Sequence, residues 1–302
     1  PPAYKNDGRL YVYATNDQQQ YEAVGRDGRN TYEKIKSIAM MSTDDMVNWT
    51  YHGLIRTDSI APWIIASWAP SVVKREETDG KTHFYLYFSN SGFGTGVLTS
   101  TSPVGPWSSP LGHSLVDANT PGLDGCKVPF DPGALVDGEG RGWLTFGAGT
   151  ARIARLGDDM TSISGKIAKI DAPHHFEANE LNYINGTYIY TYNTDWQDYA
   201  DWPFATGRPS VCSMVYMTGK KPLDPKSWKY RHPYMRNPGD CGFDYGNNHT
   251  HRCPFKGRQP PVSRVMARKI RAGRGQGGGK ERRTGSPLVV SPHRRSTCQG
   301  EA

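Results

Sequence analysis

The chain has 302 residues, with 36 Lys or Arg against 29 Asp or Glu and a formal net charge of +7. Residues 258–302 hold eleven basic residues and two Glu, leaving 25 basic and 27 acidic residues in 1–257, so the basicity belongs to one end and argues against a nucleic-acid partner. No run of 18 apolar residues is present, which excludes a membrane-spanning helix and argues against a membrane partner. The five cysteines (Cys126, Cys212, Cys241, Cys253 and Cys298) lack zinc-site spacing.

In chain order, a Gly-led run of alternating aromatic and aliphatic residues recurs. It reads Gly8-Arg9-Leu10-Tyr11-Val12-Tyr13, then Gly80-Lys81-Thr82-His83-Phe84-Tyr85-Leu86-Tyr87, then Gly140-Arg141-Gly142-Trp143-Leu144-Thr145-Phe146, then Gly186-Thr187-Tyr188-Ile189-Tyr190-Thr191-Tyr192. A fifth copy begins at Phe255-Lys256-Gly257 and is not followed by its strand. Each complete copy is followed by a second short strand: Ser37–Met41, Gly96–Ser100, Ala151–Leu156 and Ser213–Met217. Period-2 alternation after a turn glycine predicts a β-hairpin, and its recurrence at spacings of 72, 60 and 46 residues predicts an all-β fold, the blades of a β-propeller. No helical periodicity exceeds about two turns. The expected domains are 1–257, the propeller, and 258–302, a basic Gly/Arg/Pro-rich tail without Phe, Tyr or Trp and expected to be disordered.

In a propeller the first strand of each blade lines the central channel, so residues at a fixed distance before each turn glycine converge. Counting back eight to twelve positions from Gly80, Gly140, Gly186 and Gly257 gives Trp68-Ala69-Pro70, Asp131-Pro132, Glu177 and His249. Two carboxylates converging near an aromatic ring suit glycoside hydrolysis, in which one carboxyl protonates the leaving oxygen and another activates water. Glu180 competes with Glu177. Three residues on in an extended strand it faces the other way, and Glu177 shares with Asp131 a position nine residues before its glycine. Asp17, Asp44, Asp45, Asp158 and Asp159 are read as turn residues.

The strings Trp68-Ala69-Pro70-Ser71-Val72, Asp131-Pro132-Gly133-Ala134-Leu135-Val136-Asp137-Gly138-Glu139-Gly140 and Phe176-Glu177-Ala178-Asn179, with Asn185-Gly186-Thr187-Tyr188-Ile189-Tyr190, resemble family 43 glycoside hydrolases over residues 1–257. The resemblance implies a five-bladed β-propeller, here with an incomplete fifth blade. It implies an inverting hydrolase that removes terminal α-L-arabinofuranosyl or β-D-xylosyl units from plant cell-wall polysaccharides or oligosaccharides. It makes Glu177 the general acid and Asp131 the residue that raises its pKa and orients it. The general base is absent from the chain, its place falling just before Pro1, and neither Asp7 nor Asp17 replaces it. Trp68 would stack on sugar. His249, with His251 as an alternative, would approach a structural calcium in the channel; no cofactor is required for the chemistry. A secreted protein is expected, consistent with Asn-x-Thr sequons at Asn48, Asn185 and Asn248. The competing reading is an inactive or fragmentary propeller that only binds carbohydrate.

Overall fold

The computed structural model describes residues 3–6, 8–25, 31–195, 201–204 and 206–237. They form four antiparallel sheets of four strands, each running in chain order from its first strand to its last. The first holds β1 (Ala3–Asn6), β2 (Arg9–Thr15), β3 (Ile38–Thr43) and β4 (Thr50–Ile55). The second holds β5 (Trp68–Glu76), β6 (Thr82–Ser89), β7 (Gly94–Ser100) and β8 (Val116–Asp117). The third holds β9 (Gly133–Val136), β10 (Gly142–Phe146), β11 (Ala151–Leu156) and β12 (Ile163–Ile170). The fourth holds β13 (His175–Ile184), β14 (Thr187–Thr194), β15 (Met214–Gly219) and β16 (Lys229–Met235). The fold is an all-β propeller, and the described residues build four of its blades. The expected fifth blade and the tail 258–302 lie outside them.

The turn glycines Gly8, Gly80, Gly140 and Gly186 all have positive φ, between 74° and 84°. A two-stranded connection of this twist needs that conformation, and glycine adopts it without steric cost. Each therefore joins the first and second strands of its blade. The outer strands β4, β8, β12 and β16 are additions to the two-part unit read from the sequence.

Three hydrophobic clusters lie between successive blades. Phe84, Leu86 and Phe88 point from β6 toward the first blade, where they meet Tyr13, Ile38 and Met40. Tyr85 and Tyr87 point the other way and pack with Leu144, Phe146 and Leu156 of the third blade. Trp143, Ile153 and Ile170 likewise meet Tyr188, Tyr190 and Tyr192 across the third and fourth blades. Both faces of a blade are thus buried by its neighbours, which explains why the second strands are apolar at nearly every position rather than at every other one. Buried tyrosines end on partners beyond their own strand: the Tyr87 hydroxyl donates to the Met160 carbonyl at 2.7 Å.

The first strands β5, β9 and β13 begin at one end of the propeller, called the upper face. The β2–β3, β6–β7, β10–β11 and β14–β15 loops return on that same face, because Trp68 pairs with Ser89 and His175 with Thr194. The turn glycines lie at the opposite end. A helix, α1 (Asp17–Val24), occupies the first of these upper loops, and Asp17 opens it rather than standing in a plain turn.

Candidate active site

At the heads of β5, β9 and β13 a main-chain N–H is bonded to the blade before it. Ala69 N donates to Thr15 Oγ1 at 3.2 Å, Asp131 N to Ser89 Oγ at 2.8 Å, and Ala178 N to Asp131 Oδ2 at 2.9 Å. Thr15 and Ser89 are the last residues of β2 and β6. The matching end of β10 is Phe146, which has no hydroxyl to offer. Between the third and fourth blades the acceptor is therefore a carboxylate, and that exchange brings Asp131 against the peptide that follows Glu177.

Ala69, Asp131 and Ala178 take positive φ of 41°, 54° and 58°. A left-handed backbone at a non-glycine residue costs on the order of 1–3 kcal/mol, and it persists where surrounding bonds over-determine it. Here the three interblade hydrogen bonds provide that constraint. Asp131 is further held through its carbonyl, which accepts from Asn179 Nδ2 at 2.7 Å, while Asn179 Oδ1 accepts from the Thr145 hydroxyl. Ser89 and Asn179 are fully buried, and Asp131 is nearly so.

Glu177 is half-buried on β13 and its carboxyl is pushed up to about 8, first by burial and second by the charge of Asp131. Removal from water disfavours the charged form, and a neighbouring negative charge adds to the effect. The group therefore holds its proton at neutral pH, as an acid catalyst must. The structure brings together the two carboxylates that the sequence register singled out.

Glu180 is not set on the opposite face from Glu177 by simple strand alternation, which is what the sequence spacing predicts. β13 is not regularly extended between the two glutamates: the register shifts between Glu177 and Glu180, with Ala178 in the left-handed region between them. Simple alternation of faces does not carry across such a bulge. Glu180 is buried and pairs with Thr191, and its Cα packs so close to Gly133 that a Cβ there would stand 3.0 Å away.

Trp68 stands half-buried at the head of β5. Its indole Nε1 donates to the Tyr32 carbonyl at 2.9 Å, and the two rings meet edge to face with centroids 6.0 Å apart. Cys212 lies on the same face, buried, with its thiol pushed up to about 11 by burial and by the charges of Asp195 and Glu177. The loop after Asp195 packs on the fourth blade: Trp202 stacks on His174, and Phe204 lies parallel to Tyr230 at 4.9 Å. His249 and its alternative His251 lie outside the described residues. Among the described residues no group of three or more His, Cys, Asp or Glu side chains is arranged to hold a metal ion.

Sequence reasoning missed Ser89, Asn179 and Tyr32. Ser89 had a signal, since it ends its strand as Thr15 does. Tyr32 had none, because it lies in an irregular stretch without periodicity.

The family model for glycosyl hydrolases family 43 matches residues 1–253. An arabinoxylan arabinofuranohydrolase of Bacillus subtilis (strain 168) is 39% identical over 266 residues, covering 79% of this chain and 50% of the relative. An arabinoxylan arabinofuranohydrolase of Paenibacillus polymyxa is 35% identical over 295 residues, covering 89% and 45%. The chain thus spans about half the length of the curated relatives it matches. Among solved structures, a family 43 arabinoxylan arabinofuranohydrolase from Bacillus subtilis in complex with cellotetraose superposes with a TM-score of 0.71 at 38% identity, over 79% of this chain and 53% of that one. An α-L-arabinofuranosidase from Clostridium thermocellum gives a TM-score of 0.65 at 34% identity, over 83% and 76%.

Proposed function

We propose that this chain, which belongs to family 43 of the glycosyl hydrolases, is the catalytic propeller of an inverting glycosidase. Its substrates are terminal α-L-arabinofuranosyl or β-D-xylosyl units of hemicellulose, with arabinoxylan first among them, since the Bacillus subtilis and Paenibacillus polymyxa relatives carry that polymer in their names. The observation that carries this reading is the Asp131–Ala178–Glu177 arrangement, a carboxyl held near 8 beside a carboxylate fixed by the 2.9 Å bond from Ala178.

In the proposed reaction the Glu177 proton passes to the glycosidic oxygen as its bond to the anomeric carbon breaks. Water attacks that carbon from the opposite face and loses its own proton to an ionised carboxylate acting as general base. One displacement inverts the anomeric centre. Asp131 keeps Glu177 protonated by its charge and positions it through the peptide of Ala178. Trp68 offers its ring to the sugar. We propose further that residues after 237 complete a fifth blade, that a structural calcium approached by His249 sits in the channel, and that the protein acts outside the cell on cell-wall polymers.

The test is hydrolysis of an arabinoxylan-derived oligosaccharide and a xylo-oligosaccharide, whose sugar leaving groups need the proton, with the anomer of the released sugar read by NMR. Release of the inverted anomer by the wild type and its loss in Glu177→Gln support the reading. A retained anomer, or undiminished turnover by Glu177→Gln, overturns it.

A further inference from the structure

One aromatic side chain on the upper face was not reached from the sequence. Tyr32 lies in the β2–β3 loop at φ 61°, with 46% of its surface exposed. Its main chain is nonetheless fixed: the carbonyl accepts from Trp68 Nε1 at 2.9 Å and from Ile35 N at 3.1 Å, and Ile35 is fully buried. The Tyr32 ring meets Trp68 with planes 68° apart. Trp68 is the Cα partner of Ser89, whose hydroxyl accepts from Asp131 N. A continuous set of contacts therefore runs from Tyr32 to the carboxylate pair.

Single exposed aromatics are ordinary on protein surfaces. Tyr32 differs because a backbone conformation that tyrosine rarely adopts is locked by a buried anchor while the ring is left open to solvent. Burial holds the Tyr32 hydroxyl above the usual phenol range, and the charges of Asp17 and then Glu177 push the same way. The ring stands against Trp68, whose strand partner Ser89 holds the Asp131 main chain.

We infer that Tyr32 is a sugar-contact residue that walls the pocket beside Trp68 and touches the pentose whose glycosidic oxygen Glu177 protonates. The inference rests on the proposed function. A tyrosine supplies both parts of such a contact, an apolar face for the sugar's C–H groups and a hydroxyl for its polar ones.

Titration calorimetry with an arabinoxylan-derived oligosaccharide, on the wild type, Tyr32→Phe and Tyr32→Ala forms, each carrying Glu177→Gln so that the ligand is not hydrolysed, tests it alongside thermal unfolding. Trp68 bonds to the main-chain carbonyl of Tyr32, so both variants keep that anchor. The expected result is binding weakened at least about tenfold in Tyr32→Ala and about two- to fivefold in Tyr32→Phe, with the melting temperature of Tyr32→Phe unchanged. Wild-type affinity in Tyr32→Ala overturns the inference. If Tyr32→Ala also melts early, Tyr32→Phe decides: weaker binding at unchanged melting supports the contact, and unchanged binding overturns it. A wild type that binds no oligosaccharide overturns the functional reading and this inference with it.

Discussion

Asp131 accepts, through Oδ2, the main-chain N–H of Ala178, the residue directly after Glu177, at 2.9 Å. It therefore acts on the acid in two ways, by charge and by fixing the peptide that carries it. Asp131→Asn separates the two, since the amide oxygen can still accept from Ala178 while the charge is gone. Removing a neighbouring negative charge makes ionisation of Glu177 easier. The alkaline limb of the kcat profile is expected to move to lower pH, with melting nearly unchanged. Asp131→Ala loses both functions and is expected to cost about 1–3 kcal/mol of stability as well, since Ala178 N is left buried without its acceptor. A pH–rate profile and a thermal melt on each variant check this.

Replacing the acid separates substrates by their leaving groups. Glu177→Gln removes the proton donor, and general acid catalysis contributes about 10²–10⁴-fold. That full loss is expected on arabinoxylan oligosaccharides, whose departing sugar alkoxide needs the proton. A dinitrophenyl glycoside departs as a stable phenolate and should lose much less. Steady-state rates on the two substrates with one enzyme preparation provide the comparison.

Glu177 also makes stability depend on pH. Its folded value of about 8 lies above the ordinary glutamate value of 4.5, so the folded state holds a proton that the unfolded state has released over that interval. Stability is full below about 4.5 and falls as pH rises toward 8. Glu177→Gln, which cannot ionise, is expected to melt above the wild type at pH 8 and with it at pH 4.5. Scanning calorimetry at the two pH values reads the sign directly, and equal melting at pH 8 would contradict the assigned protonation state.

The blades were legible because their signal is local: a turn glycine followed by a strand buried on both faces, as in Phe84-Tyr85-Leu86-Tyr87-Phe88. The outer strands were not. β16, Lys229–Met235, is exposed or half-buried throughout, so burial imposes no pattern on its residues. Asp131 and Glu177 were legible as a pair because both stand nine residues before a glycine and the second strand transmits that register to the upper face. Glu180 was set aside on an alternation that the bulge at Ala178 breaks, and a single left-handed alanine leaves no mark in composition or period. Asn179 and Ser89 matter through contacts with another blade, which no local pattern encodes.

The end opposite the site carries a charged clasp whose loss should leave catalysis intact. The Asp137 side chain is fully buried below the Gly140 turn. It accepts from the Tyr188 hydroxyl at 2.6 Å, Trp143 Nε1 at 2.8 Å, Arg141 Nε at 2.9 Å and the Glu139 N–H at 2.9 Å. Tyr188 belongs to the fourth blade, so the group ties it to the third. Burial alone would raise the Asp137 carboxyl, but the bonds from Tyr188, Trp143 and Arg141 outweigh it and bring the value down to about 2. A depressed value means a contribution present above about 3.8 and lost as pH falls toward 2. Asp137→Asn keeps the shape and removes the charge, at an expected cost of about 2–3 kcal/mol, a fall of roughly 4–12 °C in melting temperature at pH 7. The gap to the wild type should narrow as pH is lowered through 3.8 toward 2, while kcat at 25 °C stays within about twofold, because no bond of the clasp reaches the upper face.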